Sequence, residues 1–138
     1  MTTMSNSSLW SFLLVSLAGC YTYAPIDVRV IDASTNRPLA GMEIAADYGR
    51  FMEFFRPKLD HALTDMNGVA TLTVCTNYKG RDTMLISLRD SPYLLDQDMP
   101  ATTINVPVAG IRKASGSRYR VDLAVLSIGE YRRRYPAK

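Results

Sequence analysis

Residues 26–46 read IDVRVIDASTNRPLAGMEIAA, and this stretch decides the fold. Its first part alternates inward apolar side chains with outward ones, which is the period of two that a half-buried strand requires. Pro38 ends this strand in a turn, because proline fixes φ and has no N–H to donate to a sheet. Gly41 relieves the backbone, and the alternation then resumes in a second strand. The inward residues predicted for the two strands are Ile26, Val28, Val30, Met42, Ile44 and Ala46.

A second informative stretch, residues 60–76, reads DHALTDMNGVATLTVCT. Its Asn67-Gly68 pair supplies the positive φ that a tight turn requires, so we predict a β-hairpin that turns at residues 65–68. The side chains of the second hairpin strand that should face the core are Ala70, Leu72 and Val74.

Three more strands are predicted, over residues 83–88, 102–108 and 119–128. The last is the longest, and its second half is apolar on both faces, which is typical of a central strand. Many short strands separated by turn residues favour a sandwich. We therefore predict an all-β fold, an antiparallel Ig-like sandwich of about seven strands over residues 26–128.

The composition is that of one ordinary folded domain. The chain has 138 residues, of which 47% are hydrophobic and 21% charged, and this excludes the low-hydrophobicity, high-charge class of disordered proteins. The net charge is +3 with a pI near 9.0. The excess basic residues gather near the C-terminus, where residues 129–138 read GEYRRRYPAK.

The N-terminus is predicted to carry a targeting segment. Residues 9–17 read LWSFLLVSL, a run that is too short for a membrane span of roughly 20 residues but suits the apolar region of a signal peptide. The sequence Leu-Ala-Gly-Cys that ends at Cys20 resembles the bacterial lipobox. This resemblance implies cleavage before Cys20 and acylation of that cysteine. The alternative is a buried apolar segment with a chance match.

The lipobox predicts a division of the chain into four segments. They are a signal peptide over residues 1–19, a lipid-anchor linker over 20–25, the sandwich over 26–128 and a basic tail over 129–138. The protein would be exported and held on a bacterial membrane through the lipid on Cys20. Since Tyr21 rather than Asp follows the cysteine, it would be sorted to the outer membrane if the cell has one.

The order of the turn residues is similar to that of the carboxypeptidase regulatory-like domains. That family has an Asp followed by Pro-Leu-x-Gly in its first turn and Thr-Asp-x-x-Gly in its hairpin. The matching positions here are Asp32, Pro38, Leu39, Gly41, Thr64, Asp65 and Gly68. The resemblance implies a transthyretin-like seven-strand sandwich, and it implies a fold rather than an activity.

Few residues carry reactive chemistry. His61 is the one histidine of the chain, so a nucleophilic site would have to pair it with Cys75. Hydroxyisourate hydrolase has a related fold, but its C-terminal Tyr-Arg-Gly-Ser is absent here. Asp65 and Asn67 could offer oxygens to calcium, yet turn geometry explains both. We therefore expect no enzyme activity, no cofactor and no metal; Cys75 is expected to be buried, or else exposed and paired with another chain.

Two groups of residues are candidates for contact with a ligand or partner. Phe51, Phe54 and Phe55 either close one end of the sandwich or form a contact patch, and with Tyr48 they could line a platform for a carbohydrate. Arg132, Arg133 and Arg134 are either solvated or bind anionic lipid or polysaccharide. An exported protein seldom meets nucleic acid, so nucleic acid is not an expected partner.

The sequence thus favours a non-enzymatic, lipid-anchored β-sandwich that acts as an interaction or assembly module with a protein partner in the cell envelope. A carbohydrate-recognition module is the second hypothesis. The third is an accessory lipoprotein of a secretion apparatus, because the outer-membrane lipoprotein of type VI secretion also resembles this fold.

Overall fold

Nine strands and two short helices make up the part of the chain that the computed structural model describes, which is residues 21–47, 60–78, 81–114 and 118–137. The strands are β1 (Tyr23–Asp32), β2 (Arg37–Pro38), β3 (Glu43–Asp47), β4 (His61–Leu63), β5 (Val69–Cys75), β6 (Thr83–Arg89), β7 (Tyr93–Leu95), β8 (Thr103–Pro107) and β9 (Tyr119–Ser127). The helices are α1 (Val108–Lys113) and α2 (Ile128–Arg134).

The strands form two sheets, which confirms the predicted all-β sandwich. In the first sheet β1 lies between β5 and β9. The short β2 pairs with the last residues of β1, beyond the part of β1 that pairs with β5. β7 pairs with the edge of β9 that faces away from β1. The second sheet has the order β4-β3-β6-β8. The two strands beyond the seven predicted are β2 and β7, which have only two or three residues, too few to show an alternating pattern.

The core lies between the two sheets and contains the residues predicted from alternation. Ile26, Ile44 and Leu72 are fully buried. The other predicted inward residues, Val28, Val30, Met42, Ala46, Ala70 and Val74, are also buried. In β9 the consecutive Val125 and Leu126 are both buried, and β9 has a neighbour on each side, as expected of a central strand.

One strand pair is parallel, whereas the prediction was a fully antiparallel sandwich. β1 and β9 are parallel, with partners from Ile26 and Tyr119 to Asp32 and Val125. The fully antiparallel arrangement was therefore wrong for this pair. Helix α1 carries the chain from the end of β8 in the second sheet to the end of the first sheet where β1 begins. β9 consequently starts beside the start of β1 and runs alongside it.

The predicted hairpin at residues 60–76 is a turn between sheets. β4 pairs with β3 in the second sheet, whereas β5 pairs with β1 in the first. The turn itself is present: Gly68 N–H donates to the Asp65 carbonyl at 2.9 Å, and Gly68 has a φ of 73°. Asp65 Oδ1 accepts from the N–H groups of Asn67 at 2.9 Å and Val69 at 3.0 Å. Asn67 does not have a positive φ. The turn is therefore shaped by the Asp65 carboxylate and by Gly68.

This turn interlocks with the turn that follows β2. The buried Thr64 Oγ1 donates to the Leu39 carbonyl at 2.6 Å and accepts from Met42 N–H at 2.9 Å. Gly41 N–H donates to the Thr64 carbonyl at 2.8 Å, and Thr64 N–H donates to the Met42 carbonyl at 2.9 Å. We call residues 38–42 and 64–68 the interlocked turns. They join the two sheets at one end of the sandwich.

The C-terminal residues form a helix where a solvated tail was expected. Ser127 caps α2: its hydroxyl accepts from Glu130 N–H at 3.3 Å and lies 3.0 Å from Glu130 Oε2. The Ser-x-x-Glu spacing is that of a capping box, and here the Glu130 carboxylate accepts from the Ser127 hydroxyl rather than from its backbone N–H. β8 ends at Pro107, and the residues after it turn into α1. Within the described ranges, no helix has the length and apolar character of a membrane span.

Candidate functional site

The structure does not bring together the one pair of residues considered for nucleophilic catalysis. His61 lies on β4 of the second sheet, with its side chain 69% exposed and its Nδ1 3.5 Å from Glu43 Oε1. Cys75 ends β5 of the first sheet and is buried, and its Sγ lies 3.3 Å from Asn77 Oδ1. A general base must reach its nucleophile within about 3 Å or through one water. These two residues have different partners, and the predicted burial of Cys75 is confirmed.

The oxygens considered for calcium serve the turn. Asp65 Oδ1 accepts two backbone N–H groups, as described above, so this oxygen already has partners. Asn67 contributes its N–H to the same carboxylate. Across the ranges that the structure describes, no three His, Cys, Asp or Glu side chains are grouped to hold a metal ion. These observations favour the turn interpretation of both residues.

Several predicted contact residues lie outside the described part of the chain. They are Cys20, Tyr48, Phe51, Phe54 and Phe55. Their predicted roles stay predictions.

The three predicted arginine contacts lie on α2 and differ in their surroundings. Arg134 Nη1 forms an ion pair with Asp96 Oδ2 at 2.6 Å, so its charge is matched. Arg132 and Arg133 are exposed on the same helix. A ligand that binds this helix would therefore compete with Asp96 for Arg134.

Two tyrosines that the sequence analysis did not single out fix α2 to the loop after β7. The hydroxyl of the buried Tyr131 lies 2.9 Å from the carbonyl of Gln97 and 3.2 Å from that of Asp98. Tyr135 donates its hydroxyl to Asp96 Oδ1 at 2.9 Å. The two rings are 4.9 Å apart between centroids. The helix is held by hydrogen bonds at two points as well as by packing.

These contacts raise the pKa of both phenols. Burial raises the pKa of Tyr131 above its ordinary value of 10.0, and the nearby carboxylates of Asp98 and Asp96 raise it further. The hydrogen bond to Asp96 raises the pKa of Tyr135, with burial as the next cause. A neutral phenol donates to these oxygens, whereas a phenolate beside them would be repelled.

The stability of the protein should therefore fall at high pH. Because the folded-state pKa values lie above the unfolded ones, the contribution of these phenols is fully present below about pH 10 and is lost as the pH rises through the folded values. We expect the urea midpoint to fall as the pH is raised above about 10, and to fall less in a Tyr131→Phe/Tyr135→Phe variant. Equal drops in the two proteins would contradict this assignment.

The connections between strands lie at the two ends of the sandwich. We call the end at which β1 and β9 finish the distal end, and the end at which they begin the near end. The distal end holds the interlocked turns, the loop at residues 96–102 and α2. Exposed large apolar side chains concentrate there: Leu63 is 65%, Met66 86%, Met99 75% and Ile128 40% exposed. Of the large apolar side chains that are exposed in the described ranges, Tyr23 alone lies at the other end of the sandwich.

The near end is where β1 and β9 begin and β5 ends. Thr22 N–H donates to Asn77 Oδ1 at 2.7 Å, and the Thr22 carbonyl accepts from Thr76 N–H at 2.8 Å. The Tyr21 ring lies 6.1 Å from that of Tyr78 between centroids. The linker predicted over residues 20–25 is therefore part of the folded sandwich from Tyr21 onward.

The anchoring of this segment extends to the helix at the same end. Arg112 of α1 donates its Nε to the Thr76 carbonyl at 2.8 Å, and its Nη2 donates to the same oxygen. The first residues after Cys20 thus join a hydrogen-bonded group that includes β5 and α1.

Comparison with known proteins leaves the family open. No protein-family model matches the chain, and no curated protein matches it. Among solved structures, the chain is similar to BcpA, the major pilin subunit of Bacillus cereus, with a TM-score of 0.49 and 15% identity. The match covers 77% of this chain and 30% of the pilin chain, so this chain spans less than a third of the pilin's length. We therefore infer function from the chain's own residues.

Proposed function

We propose that the chain is a non-enzymatic lipoprotein of the bacterial cell envelope, anchored through lipid on Cys20, whose sandwich is an interaction or assembly module. The observation that carries this proposal is the position of the fold relative to Cys20. The lipobox ends at residue 20, Thr22 makes hydrogen bonds to the sandwich through its N–H and carbonyl, and β1 begins at Tyr23. Removal of residues 1–19 would leave a lipid-modified cysteine at the edge of the folded part.

The apolar run at residues 9–17 supports the same proposal, because its length suits the apolar region of a signal peptide and is too short for a membrane span. The order of turn residues supports the proposal that the sandwich is of the transthyretin-like, carboxypeptidase regulatory-like kind.

A protein is the partner that the surface favours. An anchor at the near end directs the distal end away from the membrane, where Leu63, Met66 and Met99 are exposed. Methionine is enriched in protein interfaces because its flexible, polarisable side chain adapts to a partner. A polysaccharide partner would depend on the aromatic residues of 48–55. A place in a secretion apparatus and sorting to an outer membrane remain narrower forms of the same proposal.

Replacing Cys20 by serine tests the anchor. We expect the native protein to remain in the membrane fraction after an alkaline wash and to carry an acyl mass on an N-terminal Cys20, since each buried methylene contributes about 0.8 kcal/mol to membrane binding. The Cys20→Ser variant should retain residues 1–19 and carry no acyl mass. Cys75→Ser is the matched control, because it removes the other thiol and should leave anchoring intact. An unmodified Cys20 in the native protein would refute the proposal.

Capture of partners from detergent-solubilised envelopes tests the distal surface. A Met66→Asp/Met99→Asp variant, changed only at exposed positions, should lose protein partners that the native chain retains. An unchanged set of partners would place the interaction elsewhere on the sandwich.

A further inference from the structure

We infer, on the basis of the lipid anchor proposed above, that the near end of the sandwich lies directly against the phospholipid surface, with Tyr21 and Tyr23 at the level of the headgroups. The reason is the shortness of the chain between the anchor and the fold. An extended chain spans at most about 3.6 Å per residue, so Cys20 lies within about 7 Å of Thr22. The headgroup layer of one leaflet is itself roughly 5–8 Å deep. The sandwich therefore cannot rise clear of the surface.

The segment next to the anchor has little freedom to unravel and lengthen the tether. Thr22 is bonded through its N–H to Asn77 and through its carbonyl to Thr76 N–H. The Thr76 carbonyl in turn accepts from Arg112. Peeling residues 21 and 22 away would break both backbone hydrogen bonds of Thr22, each worth about 1 kcal/mol. By contrast, a flexible linker of about 20 residues would allow an average separation of about 25 Å.

The side chains at this end suit the membrane interface. Tyr23 is 43% exposed, although it lies at the start of a central strand. Tyr21 packs against the buried Tyr78. Tyrosine is enriched at the level of the headgroups because its ring is apolar and its hydroxyl is polar.

The described charges at this end do not favour an anionic surface over a neutral one. The described basic side chains there are Arg81, Arg112, Lys113, Arg118 and Arg120, and the acidic ones are Asp27, Asp47, Asp60 and Asp82. Because these two sets nearly balance, the short tether and the tyrosines carry the inference. We therefore expect the contact to form on zwitterionic phosphatidylcholine.

The contact would also fix the orientation of the sandwich relative to the membrane. β1 has ten residues, which corresponds to about 33 Å at the usual rise of a strand. The distal end would stand roughly that far from the membrane if β1 were perpendicular to it. Partners would then approach the interlocked turns and α2 from the side opposite the lipid.

Tryptophan reporters can test this orientation in the full lipidated protein. The one tryptophan of the chain is Trp10, within the segment predicted to be removed, so a single new tryptophan reports one position. Tyr23→Trp places the reporter at the near end, and Met66→Trp places it at an exposed distal position as the control. In phosphatidylcholine vesicles brominated near the headgroups, we expect severalfold stronger quenching of Tyr23→Trp than of Met66→Trp.

A linker insertion separates this inference from the proposed anchor. About 20 Gly and Ser residues inserted after Cys20 should leave the acyl mass unchanged and remove most of the quenching of Tyr23→Trp. Equal quenching of the two reporters in acylated protein would overturn the inference and leave the anchor standing. Absence of the acyl mass would refute the anchor itself. If Tyr23→Trp fails to fold by circular dichroism, the exposed Lys113→Trp on α1 replaces it, with the same two outcomes.

Discussion

Replacing Gly68 by alanine should lower the free energy of unfolding by about 3 kcal/mol. Gly68 has a φ of 73°, in the left-handed region. A Cβ there would lie 2.6 Å from the Val30 carbonyl oxygen and 2.9 Å from Pro38 Cβ. The backbone oxygen cannot move without disturbing β1, because the Val30 N–H also donates to the Gly68 carbonyl at 2.7 Å. Strain in the left-handed region costs about 1 kcal/mol and overpacking about 1–3 kcal/mol.

Gly41 provides a matched control for this prediction. It has the same φ of 73°, but no atom lies within 4 Å of the position of its Cβ. Gly41→Ala should therefore show the conformational cost alone, about 1 kcal/mol. Urea unfolding followed by circular dichroism measures both. Equal losses for the two variants would mean that the close approach at Gly68 is not what selects glycine there.

Thr64→Val should also be strongly destabilising, by about 3 kcal/mol. The substitution keeps the shape of the side chain and removes the hydroxyl that bridges Leu39 and Met42. The Met42 N–H would lose this partner at a buried position and the Leu39 carbonyl at a part-buried one, and an unsatisfied buried group costs about 1–3 kcal/mol.

Thr64→Ser distinguishes the hydroxyl from the methyl group. It preserves the hydroxyl and removes one methyl group, so the expected loss is about 1 kcal/mol. The measurement is again the urea midpoint, at neutral pH. A serine variant as unstable as the valine variant would show that packing, rather than the bridge between the two turns, makes Thr64 important.

The two turn motifs were recognisable from the sequence, but their relationship was not. Pro38, Leu39 and Gly41 form one set, and Thr64 and Gly68 belong to the other. Both sets were assigned to turns, and both are turns. The structure adds that the sets contact each other. The Asn-Gly pair is a local signal and favoured a hairpin, whereas the sheet that β4 joins is decided by its pairing with β3, which local sequence does not encode.

The C-terminal helix could have been found, but its contacts could not. Ser127 and Glu130 have the spacing of a capping box, and this signal precedes Tyr131 directly. Contacts of Tyr131 and Arg134 with the loop at residues 96–98 join positions more than 30 residues apart. A run of arginines in sequence is typical of an exposed tail, and only the folded arrangement shows that one of them is matched by Asp96.

The parallel pairing of β1 with β9 bears on how the chain folds. Ile26 is paired with Tyr119, so the middle of the first sheet cannot form until nearly the whole chain is available. Folding rates fall as the sequence separation of contacts grows, because a long loop must be closed before the contact is gained. We expect slow folding, and a chain interrupted before β9 should leave the edge of β1 open to aggregation. An exported chain would complete this sheet only after its last strand had crossed the membrane.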